Sequence, residues 1–274
     1  MKSINCNGKL VDLTSPKVMG ILNITPDSFF DGGKYNNESA IISQVDKMLV
    51  EGATFIDIGA YSSRPGAKHI SEEEELERIL PVVKMLVKEF PEILISIDTF
   101  RSNIANRCIE SGACIINDIS AGSMDTTMFK TISKLQVPYI IMHMQGTPQN
   151  MQANPIYKNV ITDILYYFSE KIYELRALGV NDIIADVGFG FGKTIEQNYT
   201  LLKNLDLFQN LEIPTLTGIS RKSMLYKPLK IVPEEALNAT TVANTIALLK
   251  GTHILRVHDV KEAVETIEIV KLLN

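Results

Sequence analysis

The chain has 274 residues, 45% of them apolar, and a formal net charge of −5. That length carries one large α/β unit or two small ones, and the apolar share fills a sizeable core. The acidic balance excludes a nucleic-acid partner held by overall charge, so any basic site has to be local. The opening stretch MKSINCNGKL lacks the apolar core of a signal peptide, and no apolar run is long enough to span a membrane. A cytoplasmic protein with no membrane contact is expected. Cys6, Cys108 and Cys114 are an odd set without metal-ligand spacing, which predicts buried free thiols in a reducing compartment.

Along the chain, one junction recurs. A helical stretch ends in glycine and a short apolar run follows, at Gly52, Gly112, Gly179 and Gly251. Glycine accepts the left-handed conformation that ends a helix, so each junction predicts a helix feeding a strand. The runs are rich in Ile and Val and too short for helices, as in strands buried on both faces of a parallel sheet. Strands are predicted near 18–22, 55–58, 94–97, 115–116, 139–142, 183–185, 215–217 and 254–257. Between them, SEEEELERILPVVKMLVKEF opens with Ser71 and Glu74 in capping-box spacing, and its acidic first turn suits the positive helix end. Pro81 should kink this helix or mark a late start. EALNATTVANTIALLKG and VKEAVETIEIVKLL supply the last two helices. The β–α alternation predicts a single (β/α)8 barrel over residues 1–274, with 1–17 as an N-terminal extension covering the barrel bottom. A doubly wound open sheet is the alternative.

In such a barrel the active site lies at the C-terminal ends of the strands. There the chain sets, in order, Asn23, Asp57 with Gly59, Asp98, Asn117 with Asp118, His143 and Asp186. GISRKS, with Arg221 and Lys222, follows the seventh strand, and Arg256 and His258 lie on and after the eighth. Each has an ordinary explanation. Asp or Asn after a strand is often the N-cap of the next helix, and Asp57 and Asp118 read as caps or internal braces. His143 has no second ligand at metal spacing and reads as a packed residue. Met142 and Met144 read as core or pocket wall. Taken together, polar groups at nearly every strand end suit a large polar ligand. Asp and Asn match the edge of a flat heterocycle, and Arg and His match a phosphate or diphosphate.

DVGFGFGKT, residues 186–194, looks like a phosphate loop but fails both nucleotide-binding patterns. A Walker A loop needs glycine where Val187 stands, and a dinucleotide fingerprint needs glycine at Lys193. Lys193 is expected to start the following helix and to contact a loop or phosphate only secondarily. NITPDSFFDGGKYNN and AYSSRPGAKHIS, after the first two strands, are polar, turn-rich stretches that read as lids closing over a substrate.

GILNITPDSFFDGG, DIGAYSSRPGA, SIDTFR, IINDIS, DVGFGFGK, GISRKS and LRVHDV together resemble the dihydropteroate synthases, in order from Val18 to His258. The resemblance implies a (β/α)8 barrel that joins 6-hydroxymethyl-7,8-dihydropterin diphosphate to 4-aminobenzoate with help from Mg²⁺, as a homodimer and a sulfonamide target. It implies Asp98, Asn117, Met142, Asp186, Gly218, Lys222 and Arg256 at the pterin. Thr25, Asp27, Ser28 and Phe29 of the first lid, Ser63, Arg64 and Pro65 of the second, and Gly190 and Phe191 fall to the aminobenzoate side. Asn23, Ser63, Arg256 and His258 fall to the diphosphate, with Asn23 on the metal. Asp98, Lys222, Arg256 and His258 carry the chemistry, and the glycines of the 186–194 loop let bare backbone approach two flat ligands.

Two departures stand out. The family's second lid has glycine, glutamate, serine and threonine before Arg-Pro-Gly, where this chain has Ala60, Tyr61, Ser62 and Ser63. Val187 replaces the usual proline after Asp186, relaxing that turn. Two rival readings are a pterin-binding methyltransferase barrel, which has no need of the second lid or of Arg256 with His258, and a non-catalytic pterin-binding paralogue.

Overall fold

The computed structural model describes residues 3–24, 34–62, 69–148, 151 and 155–273. The first elements are an antiparallel hairpin, β1 (Ser3–Cys6) and β2 (Lys9–Asp12). Its turn is Asn7-Gly8, both at positive φ (52° and 85°), the two-residue turn that matches strand twist. Eight parallel strands follow: β3 (Lys17–Asn23), β4 (Phe55–Gly59), β5 (Ile95–Asp98), β6 (Ile115–Asp118), β7 (Tyr139–Met142), β8 (Ile183–Asp186), β9 (Thr215–Thr217) and β10 (Ile254–Val257). β10 pairs with both β9 and β3, which closes the barrel and excludes the open sheet.

The helices between the strands are α1 (Lys34–Val50), α2 (Glu72–Glu89), α3 (Ser102–Glu110), α4 (Met128–Leu135), α5 (Val160–Ala177), α6 (Ile195–Lys203), α7 (Ser223–Leu229), α8 (Leu237–Leu249) and α9 (Val260–Lys271). Among the described residues no helix is long and apolar enough to cross a membrane. Gly52, Gly112, Gly179 and Gly251 all take positive φ after their helices, as the junction pattern requires. α2 starts at its Ser71 cap, whose side chain accepts from the Glu74 N–H, and runs on through Pro81. The late start suggested by Pro81 is therefore not taken: the cap and the four acidic residues of the first turn outweigh one missing N–H bond.

Period two divides each strand between two environments. Val18, Ile56, Ile97, Ile116, Ile141, Ala185 and Leu255 pack outward with helix residues such as Val45, Ile79, Ile104, Phe168 and Ile267. Met19, Phe55, Ile115, Ile140, Ile184, Leu216 and Ile254 form a separate inner cluster with Ile4, Cys6, Val11 and Leu13 of the hairpin and its exit. The hairpin thus plugs the barrel bottom. The Asn5 N–H donates to Asp182 (2.8 Å), just ahead of β8, and Asn7 Nδ2 donates to the Gly112 and Ala113 carbonyls ahead of β6. The three cysteines are buried free thiols. Two residues further along the inner rows stand Asp57, Asn117, Met142, Asp186, Gly218 and Arg256. The same alternation that seals the bottom with carbon lines the mouth with charge.

Candidate active site

Register sets the level of the site. Asn23 lies opposite Gly59, Gly59 opposite Asp98, and Asp98 opposite Asn117, so these four share one tier across β3 to β6. Asp98 is a sheet-paired strand residue, and the N-cap of α3 is Arg101, so the helix-cap explanation of Asp98 fails. Arg256 enters this tier from β10. Its Nε donates to Asp57 Oδ2 at 2.6 Å and its Nη2 donates to Asp98 Oδ2 at 3.0 Å. Asn117 Nδ2 donates to the same Asp57 oxygen at 3.0 Å. Asp57, read from sequence as a cap or brace, is the brace: it joins Arg256 to Asn117. It lies two residues below the end of β4, and its partners come from β6 and β10. Its Oδ1 is buried and has no hydrogen-bond partner among the described residues.

Asp186 closes the far side. Its Oδ1 accepts from the Gly188 N–H at 2.8 Å. A Cβ placed on Gly218 would lie 3.7 Å from Asp186 Oδ2 and 3.9 Å from Arg256 Cβ and Cδ, so Gly218 is the gap between acid and cation. Met142, opposite Asp186 in register, is buried with Tyr61, Ile70, Phe100 and Ile119 beside the mouth. Burial pushes the Asp98 carboxyl up, Arg256 opposes the shift, and Asp57 reinforces it. Burial also raises Asp186, against the pull of Lys222. Burial lowers Lys222 to about 8, with Asp186 opposing. Asp118 is the brace it was expected to be: it accepts from Tyr139 Oη (2.6 Å), from Ser120 N and Oγ (both 2.7 Å) and from Gly122 N (2.8 Å).

The cations after β9 divide. Lys222 stays at the mouth, its Nζ 2.5 Å from the Phe189 carbonyl and 4.7 Å from the Phe191 ring centroid. Arg221 turns away. At φ 55° it clamps Asp259 through two N–H bonds (2.9 and 2.7 Å) and ties the β9 exit to the β10 exit. His258 is exposed on the rim, its Nδ1 3.0 Å from Ser220 Oγ. His143 is packed, as expected, edge-on to Tyr167 (4.9 Å), and burial with the neighbouring Lys193 holds its pKa down at about 2.

The glycine loop after β8 departs most from its reading. Lys193 does not start a helix. α6 begins at Ile195 behind a Thr194–Gln197 capping box, and Lys193 is 3% exposed. A Cβ on Gly188 would fall 2.1 Å from the His143 carbonyl oxygen, and one on Gly192 would fall 2.8 Å from that of Gln145. Both glycines also sit at positive φ (71° and 60°). They let two loop backbones touch, a reason for glycine that involves no ligand. Gly190 differs: its N–H donates to Asn198 Oδ1 (2.8 Å), and a Cβ there would meet Lys222 Cδ at 3.4 Å.

Residues 19–258 match the family described as pterin binding enzyme. The chain is 42% identical over 266 residues to the dihydropteroate synthase of Escherichia coli K12, covering 96% of this chain and 94% of the relative. The crystal structure of Yersinia pestis dihydropteroate synthase with a sulfonamide drug complex superposes with a TM-score of 0.93 at 41% identity, covering 99% and 98% of the two chains. That of the Xanthomonas albilineans dihydropteroate synthase with 4-aminobenzoic acid superposes at 0.92 and 33% identity, covering 99% and 97%.

The chain belongs to the pterin-binding enzyme family.

Against the pattern of that family, both departures have structural explanations. Tyr61 is buried at the root of the second lid stretch, edge-on to Phe100 (ring centroids 5.1 Å). The Arg101 guanidinium lies 5.6 Å from the Tyr61 ring centroid, and Tyr61 Oη is 3.1 Å from His69 Nδ1. Arg101 is itself fixed by Glu75 and by the Ile70 and Ser71 carbonyls. The aromatic ring thus joins an apolar and cationic cluster. Val187 is 1% exposed and belongs to the outer core, so it contributes packing where a proline would contribute rigidity. Thr25, Asp27, Ser28 and Phe29, and likewise Ser63, Arg64 and Pro65, lie outside the described residues.

Proposed function

We propose that this pterin-binding enzyme is a dihydropteroate synthase. It would join 6-hydroxymethyl-7,8-dihydropterin diphosphate to 4-aminobenzoate and release diphosphate, an alkyl-group transfer. The observation that carries this reading is the single floor of Asp57, Asp98, Asn117 and Arg256, linked at 2.6 to 3.0 Å. Asp186 lies across Gly218 from Arg256. Such a floor offers acceptors to the amino and ring N–H groups of a pterin and cations to its oxygens.

The chemistry then follows from the charges. The methylene C–O bond breaks and the diphosphate keeps the electron pair. The positive charge left behind spreads into the dihydropterin ring, where Asp98 and Asp57 stabilise it in a poorly hydrated site. Arg256 and His258 take up the negative charge on the leaving group. The aromatic amine of 4-aminobenzoate is uncharged at neutral pH. Positioned by Gly190, Phe191 and the lid residues Thr25, Asp27, Ser28, Phe29, Ser63, Arg64 and Pro65, it attacks the methylene carbon and sheds a proton to solvent. Lys222 holds the pterin carbonyl side, with Met142 as apolar wall.

Among the described residues no cluster of three His, Cys, Asp or Glu could hold a metal ion by itself. A part-buried amide oxygen at Asn23 nonetheless fits Mg²⁺, which takes one or two protein ligands and completes its shell with substrate phosphates and water. Bound there, Mg²⁺ would supply further charge neutralisation at the diphosphate. We also read the enzyme as a homodimer. Val242, Ile246 and Leu249 lie on one stripe of α8 and are 54%, 37% and 58% exposed.

Incubation of the purified protein with the pterin diphosphate, 4-aminobenzoate and Mg²⁺ should give dihydropteroate and free diphosphate in equal amounts. Pterin binding without product would favour a non-catalytic pterin binder. Product formed equally well in chelator would remove Mg²⁺ from the scheme.

A further inference from the structure

Lys193 is a buried amine that the reaction above does not use. Its Nζ donates to three carbonyls: Gly188 (2.9 Å), Phe191 (2.9 Å) and His143 (3.1 Å). A lysine amine has at most three N–H bonds, so these acceptors saturate it. His143 Nδ1 lies 3.1 Å from the same Nζ and completes the cage. The phosphate-loop likeness of FGKT is therefore spent inward: no donor of Lys193 is left for a ligand phosphate.

The acceptors belong to two different loops. His143 leaves β7, whereas Gly188 and Phe191 leave β8. Gly188 and Gly192 bring these loops into backbone contact, and the two glycines can do so only because they lack a Cβ. Tyr157 adds an outer tie, its hydroxyl donating to the Gly192 carbonyl at 2.7 Å. Gln145 anchors that tie by exchanging two bonds with the Ile156 backbone (2.8 and 2.9 Å). The tied stretch is the one that presents Gly190 and Phe191 to the mouth. Asp186 is fixed mainly by β8 pairing, and Gly188, whose N–H donates to it, is the one residue it shares with the Lys193 cage.

We propose that Lys193 is a positioning residue for the aminobenzoate half of the site, with Tyr157 as its outer support. The inference rests on the functional reading above. Because Lys193 holds the Gly188 and Phe191 carbonyls on either side of Gly190 while β8 pairing holds Asp186, its loss loosens mainly one substrate.

The test is steady-state kinetics with both substrates varied, together with thermal melts, on full-length Lys193→Met and Tyr157→Phe. Lys193→Met should raise KM for 4-aminobenzoate about tenfold, with KM for the pterin diphosphate within about twofold and kcat within about threefold, the pattern of lost uniform binding. Tyr157→Phe should move the same constant in the same direction by about threefold, since it removes one neutral hydrogen bond. If Lys193→Met does not fold, Tyr157→Phe decides alone. A lowered melting temperature with both KM values unchanged overturns the proposal, as does a parallel rise of both. Dihydropteroate formation by the unaltered protein in the same assay tests the reaction itself, so failure of the reaction and failure of the positioning role are told apart.

Discussion

Asp57, Asp98, Asn117, Asp186 and Arg256 reach the mouth as side chains of five strands, fixed by sheet register and by one another. The wall between β8 and α6 is presented as backbone and one aromatic ring, Phe191, shaped by glycine contacts and by one buried lysine. Remove a charge from the floor and its partners are left desolvated and unpaired, so both chemistry and stability should respond. Remove a contact from the wall and a surface shifts, so affinity for whatever leans on it should respond first. The same barrel end thus combines an electrostatic half, sensitive to charge, with a shape half, sensitive to loop position.

The sharpest attempt to break that distinction is Arg256→Met. It deletes the cation that Asp57 and Asp98 share, and kcat/KM should fall by roughly a thousandfold, about 4 kcal/mol of transition-state stabilisation. Stability should change with a specific sign. Burial already raises the folded pKa of Asp98, so the folded protein binds more protons than the unfolded chain above the unfolded carboxyl pKa. Stability in that window falls as pH rises, and without Arg256 the fall should be steeper. Melting temperatures at pH 6 and pH 8 should therefore diverge more in the variant than in the parent. An equal gap in both would mean that Arg256 does not hold Asp98 in its charged form.

Lys222 sits where floor and wall meet, and pH separates its two effects. With its pKa lowered to about 8, Lys222 loses its proton above that pH, and with it the charge that the proposed reaction sets on the pterin carbonyl side. kcat/KM should fall roughly tenfold per pH unit on that limb, and Lys222→Met should lower the plateau by about a hundredfold and abolish the limb. Stability should run the other way. Between about 8 and the ordinary 10.5 the unfolded chain holds a proton that the folded protein has lost, so this lysine's contribution to unfolding free energy rises with pH. Activity falling while this contribution rises identifies the titrating group. Parallel losses would assign the limb to general unfolding.

Much of the floor was legible in the chain, because a strand writes its burial in residues and its end in a polar group. The eight barrel strands, the four helix-ending glycines, Asp98, Asn117, Asp186 and Arg256 all follow from short-range patterns that period two and sheet closure convert into convergence. Asp57 was undervalued because its importance lies in partners 60 and 199 residues away, which no local pattern encodes. The hairpin had a signal, Asn7-Gly8, but its strands are four residues each and half exposed, so period two barely registers. Lys193 precedes its helix rather than starting it, and its loop contacts are its main role rather than a secondary one. Its cage depends on Gly188 and His143 meeting, a contact between two exits that only the closed barrel creates.

The smallest expected effect lies just outside both halves, at the Asp118 brace. Burial raises this carboxyl, and its hydrogen bonds from Tyr139, Ser120 and Gly122 oppose that shift. Tyr139 Oη is fully buried and donates to Oδ2, which also accepts from the Gly122 N–H, so Tyr139→Phe leaves that oxygen one partner rather than none. The cost should be near that of one hydrogen bond to a charged group, about 1.5–3 kcal/mol of unfolding free energy, because the ring's packing against Phe129 survives. Asp118 makes no bond to Arg256, Asn117 or Asp57, so kcat/KM should stay within about twofold, as for sites without shared partners. Denaturant unfolding together with turnover at one temperature measures both. A loss of turnover beyond the loss of folded protein would show that the brace reaches the floor through the β6 end, and the boundary drawn here between structural and functional carboxylates would have to move.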